Sequence, residues 1–212
     1  MAWPRKAGYC GGSLVASKYV ITAGHCTDDV DGTTYVIDRY PPSDLKVSIG
    51  DHNLLEEDGE QFFDVRRIAR HPMHHKNPIV GVLGNGYDIA ILELKLDGDG
   101  LDLTRFTPVC LAKETEGVRF DGKIATAAGW GQVSYREIWQ SAFPNEVDVT
   151  IPMANSGACK FPRDQLPSGL QHHILTPNVL CAGKKEPGKG TCKVSYVELE
   201  KCVRPCLHKY AG

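Results

Sequence analysis

Histidine, aspartate and cysteine supply the side chains in this sequence whose types could do chemistry. His25 stands between Gly24 and Cys26 in the run Val20-Ile-Thr-Ala-Gly-His-Cys26. An imidazole titrates near neutrality, at about 6.5, and suits a general base that takes a proton from a hydroxyl as it attacks a carbonyl. Asp88 directly precedes the apolar run Ile89-Ala-Ile-Leu-Glu-Leu94. A carboxylate beside such an imidazole fixes its tautomer and stabilises the imidazolium. Taken singly, each residue also has a plainer reading: a structural histidine beside a cysteine, and an aspartate capping a strand. His71, His74, His75, His172 and His173 read as loop histidines.

The cysteines form a second group. Eight of them are more than a reducing compartment tolerates unless a metal holds them, so disulfides and metal both stay open on the count alone. A zinc site would draw on Cys192, Cys202, Cys206 and His208. Structural zinc uses knuckles about two to four residues apart, which only Cys202 and Cys206 approach, and that weighs against zinc.

Short strands must position these residues. Ser13–Val15 and Tyr19–Thr22 are apolar and β-branched, Leu45, Val47 and Ile49 alternate with polar neighbours, and so do Val147, Val149 and Ile151. That period of two marks half-buried strands. Pro41-Pro42-Ser43-Asp44, Gly84-Asn85-Gly86, Gly98-Asp99-Gly100 and Pro167-Ser168-Gly169 carry turn chemistry, and no long amphipathic helix is legible. The pattern predicts an all-β chain, a barrel or a sandwich. Of 212 residues, 24 are Lys or Arg and 26 Asp or Glu, a formal charge of −2. Such a balance gives no electrostatic footprint for nucleic acid or an anionic membrane. No stretch reaches the roughly 18 apolar residues of a membrane span. Met1–Cys10 contains no apolar core of about 7–15 residues, so no export signal is expected there.

Six blocks, in order, carry a resemblance to a known family. They are Cys10-Gly-Gly-Ser-Leu-Val, Thr22-Ala-Gly-His-Cys26, Asp88-Ile-Ala-Ile-Leu-Glu-Leu, Pro108-Val-Cys-Leu, Gly129-Trp-Gly131 and Thr176-Pro-Asn-Val-Leu-Cys-Ala-Gly183. Together they resemble the chymotrypsin/trypsin-like serine proteases, whose first barrel carries Cys-Gly-Gly-Ser-Leu and Thr-Ala-Ala-His-Cys. The resemblance implies two six-stranded antiparallel barrels, the first over about residues 1–112 and a second, incomplete one over about 113–193. It makes His25 the general base and Asp88 its orienting acid. The long interval between them implies surface insertions around Thr27–Pro42 and His74–Gly86. It also implies disulfides Cys10–Cys26 and Cys159–Cys181. The cysteine at the place of Cys110 often pairs with a propeptide, and the one at Cys192 with a later cysteine. Asp51-His-Asn-Leu-Leu-Glu-Glu-Asp-Gly-Glu60 resembles the acidic loop that binds calcium in some relatives; it is one residue short, and as residues it reads as a solvated acidic turn. The implied setting is extracellular, monomeric, acting on protein or peptide substrates without a redox cofactor.

The likeness ends at Lys193. The family's nucleophile lies in Gly-Asp-Ser-Gly-Gly-Pro, and here Val194, Ser195 and Tyr196 stand where its Gly, Asp and Ser belong. The oxyanion-binding amides come from that same loop. Gly190 falls at the base of the substrate pocket, where trypsins carry Asp. Residues 194–212 read as a non-homologous tail; Lys193-Val194-Ser195 can be encoded AAG-GTA-AGT, a splice-donor consensus, and intron read-through is the expectation for that tail. The expected protein is thus a serine-endopeptidase family member without the acyl-enzyme step, or else a non-catalytic homologue that binds or regulates partners.

Overall fold

The computed structural model describes residues 10–30, 36–74, 87–97, 101–111, 120–131, 141–152 and 182–183. Among these, strands dominate, and every strand pair is antiparallel. A five-stranded curled sheet forms the larger part, built from β1 (Gly12–Ala16), β2 (Tyr19–Thr22), β5 (Lys46–Ile49), β6 (Gln61–Arg70) and β7 (Ala90–Leu94). Its order is β1-β2-β7-β6-β5. Two hairpins accompany it, β3 (Asp28–Val30) with β4 (Val36–Arg39), and β8 (Ile124–Gly129) with β9 (Asn145–Thr150).

Alternation explains which side chains turn inward. Val20, Val65, Leu92 and Leu94 form the buried core of the large sheet, with Leu14, Leu45, Val47, Ile49, Phe63 and Ile68 packed on it. Strand β6 contributes Phe63 and Val65, then Ile68, because a register shift between Val65 and Arg67 moves the inward face by one position. Glu93, the polar break in the β7 run, is held on the other face by Lys18 Nζ at 3.0 Å and Arg67 Nε at 3.2 Å. Gly50 ends β5 with φ +86, and a Cβ there would lie 2.5 Å from the Phe106 ring, so both conformation and space require glycine.

The β8–β9 hairpin has its own small core of Ala125, Val149 and Ile151. Backbone hydrogen bonds join Thr150 and Gly183. The neighbourhood of the hairpin meets the loop after β5: Leu54 N–H donates to Ala142 O at 2.9 Å, and Trp130 Nε1–H to His52 O at 3.1 Å. No helix among the described residues is long and apolar enough to cross a membrane.

Candidate active site

Sheet register brings His25 and Asp88 together. Strands β2 and β7 are hydrogen-bonded neighbours, with Thr22 opposite Ala90. The chain leaving β2 and the chain entering β7 therefore lie at the same end of the sheet. His25 sits on the 3-10 turn Gly24–Thr27 just beyond β2, and Asp88 just ahead of β7.

The contact is made twice. His25 Nδ1 lies 2.7 Å from Asp88 Oδ2, and the His25 backbone N–H donates to Asp88 Oδ1 at 2.7 Å. An ionised carboxylate only accepts, so Nδ1 carries the proton and Nε2 presents its lone pair. The His25 side chain is 30% exposed, leaving the ring reachable, while Asp88 is 17% exposed. Burial pushes the Asp88 carboxyl up, but the His25 ring, its backbone N–H and the charge of His74 together hold it below the ordinary carboxylate value. A persistently ionised Asp88 is what an orienting acid requires.

The turn that carries His25 is braced from below. Thr27 is fully buried, and its Oγ1–H donates to Gly24 O at 2.7 Å across the turn. Arg70, at the end of β6, donates from Nε to Thr27 Oγ1 at 2.7 Å and from Nη2 to Thr27 O at 2.6 Å and Tyr40 O at 3.0 Å. Burial lowers the Arg70 pKa, with Asp28 opposing that shift and Arg39 adding to it. The Cys10–Cys26 disulfide ties the segment ahead of β1 to the same turn, as the resemblance implies.

Behind the pair lies a second imidazole. His74 is buried, its Nε2 is 2.7 Å from Asp28 Oδ2, and its Nδ1 is 3.8 Å from Asp88 Oδ1. Of the intervals expected to hold surface insertions, Thr27–Pro42 and His74–Gly86, residues 31–35 and 75–86 lie outside the described residues. At the edges of those intervals Thr27, Asp28 and His74 are buried, because they pack beneath the His25 turn. His74 does sit in a turn after β6, with its N–H donating to His71 O at 2.8 Å, but that turn folds inward. His71 stacks on Tyr87 with ring centroids 4.5 Å apart.

Sequence reasoning missed Asp28, Arg70 and His74. One signal was available for His74. Where the family motif has a second Ala, this chain has Gly24, and a Cβ there would come within 2.8 Å of the His74 ring. A missing methyl beside the base marks a bulky neighbour.

The remaining expectations divide by position. Cys110 is exposed and joins no disulfide among the described residues. Gly190, Tyr196, Cys159, Cys181, Cys192, Cys202, Cys206, His208, His75, His172 and His173 lie outside the described residues, as does the whole 194–212 tail. In the Asp51–Glu60 loop, two carboxylates bond to the loop's own backbone. Asp58 accepts from the His52 and Asn53 N–H groups, Glu60 accepts from the Asp58 N–H, and Arg105 donates to Gly59 O. Among the described residues, the ligand-type atoms that cluster closely enough for a metal are those of Cys10, His25 and Cys26. Both sulfurs there are already spent in the disulfide, which leaves no ligand set.

A histidine hydrogen-bonded to a half-buried aspartate stands beside a disulfide on an antiparallel half-barrel. The trypsin family profile matches residues 3–194, and the chain belongs to that family. Mannan-binding lectin serine protease 1 of Homo sapiens is 30% identical over 190 residues, covering 87% of this chain and 24% of that protein. Coagulation factor XI of Bos taurus is 28% identical over 192 residues, 90% of this chain and 26% of that one. The chain thus spans about a quarter of the length of these relatives. Neuropsin, a serine protease from mouse brain, superimposes with a TM-score of 0.61 at 24% identity, over 93% of this chain and 71% of that one. The fold is therefore all-β and chymotrypsin-like, and among the described residues the second barrel is represented by the β8–β9 hairpin.

Proposed function

We propose that this chain is a serine-endopeptidase homologue that holds an assembled base pair, His25 and Asp88, yet does not carry out acyl-enzyme hydrolysis as it stands. The double contact between His25 and Asp88 supports the first half. Were a serine hydroxyl present at Nε2, His25 would take its proton as the oxygen attacked a peptide carbonyl. Asp88 would hold the resulting imidazolium through Nδ1, and His25 would return the proton to the departing amine. Tyr196 at the nucleophile's place supports the second half. Losing the nucleophile alone costs on the order of 10⁶ in turnover in a subtilisin. A phenol with a pKa of about 10 is mostly protonated at neutral pH.

Protein or peptide substrates and an extracellular setting belong to the same reading. The Cys10–Cys26 disulfide suits an oxidising compartment. Reaction with a fluorophosphonate tests the proposal. The 212-residue chain stays unlabelled at a concentration that titrates a trypsin-family control to completion. Stoichiometric labelling, mapped to any residue by mass spectrometry, refutes the inactive reading. A full-length transcript joining Lys193 to a Gly-Asp-Ser-Gly-Gly-Pro exon would restore the active one.

A further inference from the structure

Asp88 faces two imidazoles, not one. His25 occupies both carboxylate oxygens from the open side of the site. His74 approaches Oδ1 from the interior, with Nδ1 at 3.8 Å and its side chain only 2% exposed. Its position is fixed on three counts. Nε2 is 2.7 Å from Asp28 Oδ2, so that nitrogen carries a proton. The ring lies over Gly24, where no Cβ interferes. The His74 backbone O accepts from Arg39 Nη2 at 3.4 Å.

With Nε2–H committed to Asp28, a second proton on His74 has one place to go, Nδ1. That atom has no hydrogen-bond partner among the described residues, and it faces Asp88. The charged and titratable groups around the ring are known on each side. Asp28 and Asp88 flank it. Arg70 and Arg39, from β6 and β4, place Nε atoms 3.8 Å and 3.9 Å from Asp28 Oδ1, and His25 lies across Asp88. Two guanidiniums against two carboxylates leave the cluster near neutral, so one added proton changes its balance.

We propose that His74 is a positioning residue for the His25–Asp88 pair: by taking a proton at Nδ1 it draws Asp88 toward itself and weakens the hold of Asp88 on His25. The inference rests on reading His25 and Asp88 as the family's base pair, and it adds a second imidazole whose proton uptake opposes that of the first. Two imidazoliums facing one carboxylate would repel, so a proton on one ring disfavours a proton on the other.

The test uses the full chain with ¹⁵N-labelled histidine and side-chain ¹³C-labelled aspartate, and needs no turnover. The His25 Nδ1–H proton and its ¹⁵N shift are followed from pH 8 to pH 4 in the wild type and in His74→Gln. The expected result is a two-step curve in the wild type and a single step in the variant. The acid step of the Asp88 side-chain ¹³C signal should also move upward in the variant, since a cationic neighbour is gone. Asp28→Asn keeps the His74 ring but removes its carboxylate partner, and should change the second wild-type step. It also serves if His74→Gln fails to fold, as judged by its β-sheet circular dichroism. Superimposable His25 curves in the wild type and the folded variants overturn the coupling and leave the base pair standing. Absence of any Asp88-bonded Nδ1–H signal from wild-type His25 overturns the base-pair reading, and the coupling with it.

Discussion

Replacing Asp88 with Asn tests the electrostatics of the site through stability. The Asp88 carboxyl accepts two hydrogen bonds of 2.7 Å from His25, one from the backbone and one from the ring. Asn keeps an acceptor for the backbone N–H, but its amide cannot act as an ionised partner to the ring. A hydrogen bond to a charged group contributes about 1.5–3 kcal/mol. Asp88 is 17% exposed, so solvent screens little of it. The sign follows from linkage. Burial alone would raise the Asp88 carboxyl, yet the His25 contacts and the His74 charge hold it below its ordinary value. Its contribution is therefore complete above the unfolded carboxylate value of about 3.9 and disappears as pH falls through that value toward the folded one. Urea unfolding of the wild type and Asp88→Asn at pH 7, 5, 4 and 3 should show wild-type stability falling toward that of the variant between pH 5 and pH 3. A difference between the two chains that stays constant across this range, or that grows in acid, refutes the claim that His25 stabilises the ionised carboxylate.

Three further perturbations probe the frame. Gly24→Ala forces a Cβ to 2.8 Å from the His74 ring and should cost about 1–3 kcal/mol in chemical denaturation. Most of that cost should vanish in the His74→Ala background, where the clashing ring is absent. Arg70→Met removes the three bonds to Thr27 and Tyr40 and leaves Asp28 with one fewer cation, so a loss of about 3–5 kcal/mol is expected. A loss under 1 kcal/mol would mean that Arg70 does not brace the turn. Replacing Cys10 and Cys26 together by Ser opens a loop with a sequence separation of 16, which should lower stability by about 3 kcal/mol. An unchanged urea midpoint would contradict the role given to that bridge.

The legibility of the fold in the sequence depends on periodicity. Strands β2, β5 and β9 fall where alternation or β-branched runs place them, and β7 lies within the run Ile89–Leu94. The longest strand, β6, shows no clean period because the bulge between Val65 and Arg67 separates Phe63 and Val65 from Ile68 by an odd step. Its last residue, Arg70, points a guanidinium into the protein, which no hydropathy pattern predicts. The pairing of His25 with Asp88 was legible through the family motifs, not through spacing, since sheet register rather than sequence distance brings them together. Asp28 and His74 were hidden because a buried His–Asp hydrogen bond resembles a polar loop until its partner is in place.

Gly24 and His74 belong to one polar assembly beneath Asp88. An Ala at position 24 suits a site in which the residue beneath Asp88 keeps clear of the turn; a Gly there opens room for an imidazole. An imidazole in that room needs a proton acceptor, and Asp28 provides one at 2.7 Å. A buried Asp28 in turn needs cations, and Arg70 and Arg39 stand at 3.8 Å and 3.9 Å. Each residue makes the next one tolerable, so the polar support of Asp88 is a single assembly. Removing one member should expose the others' unpaired charge, and the costs of the single changes should not add. Measured non-additivity between Gly24→Ala and His74→Ala is then the signature of that assembly, whereas strict additivity would reduce it to separate contacts that happen to lie close together.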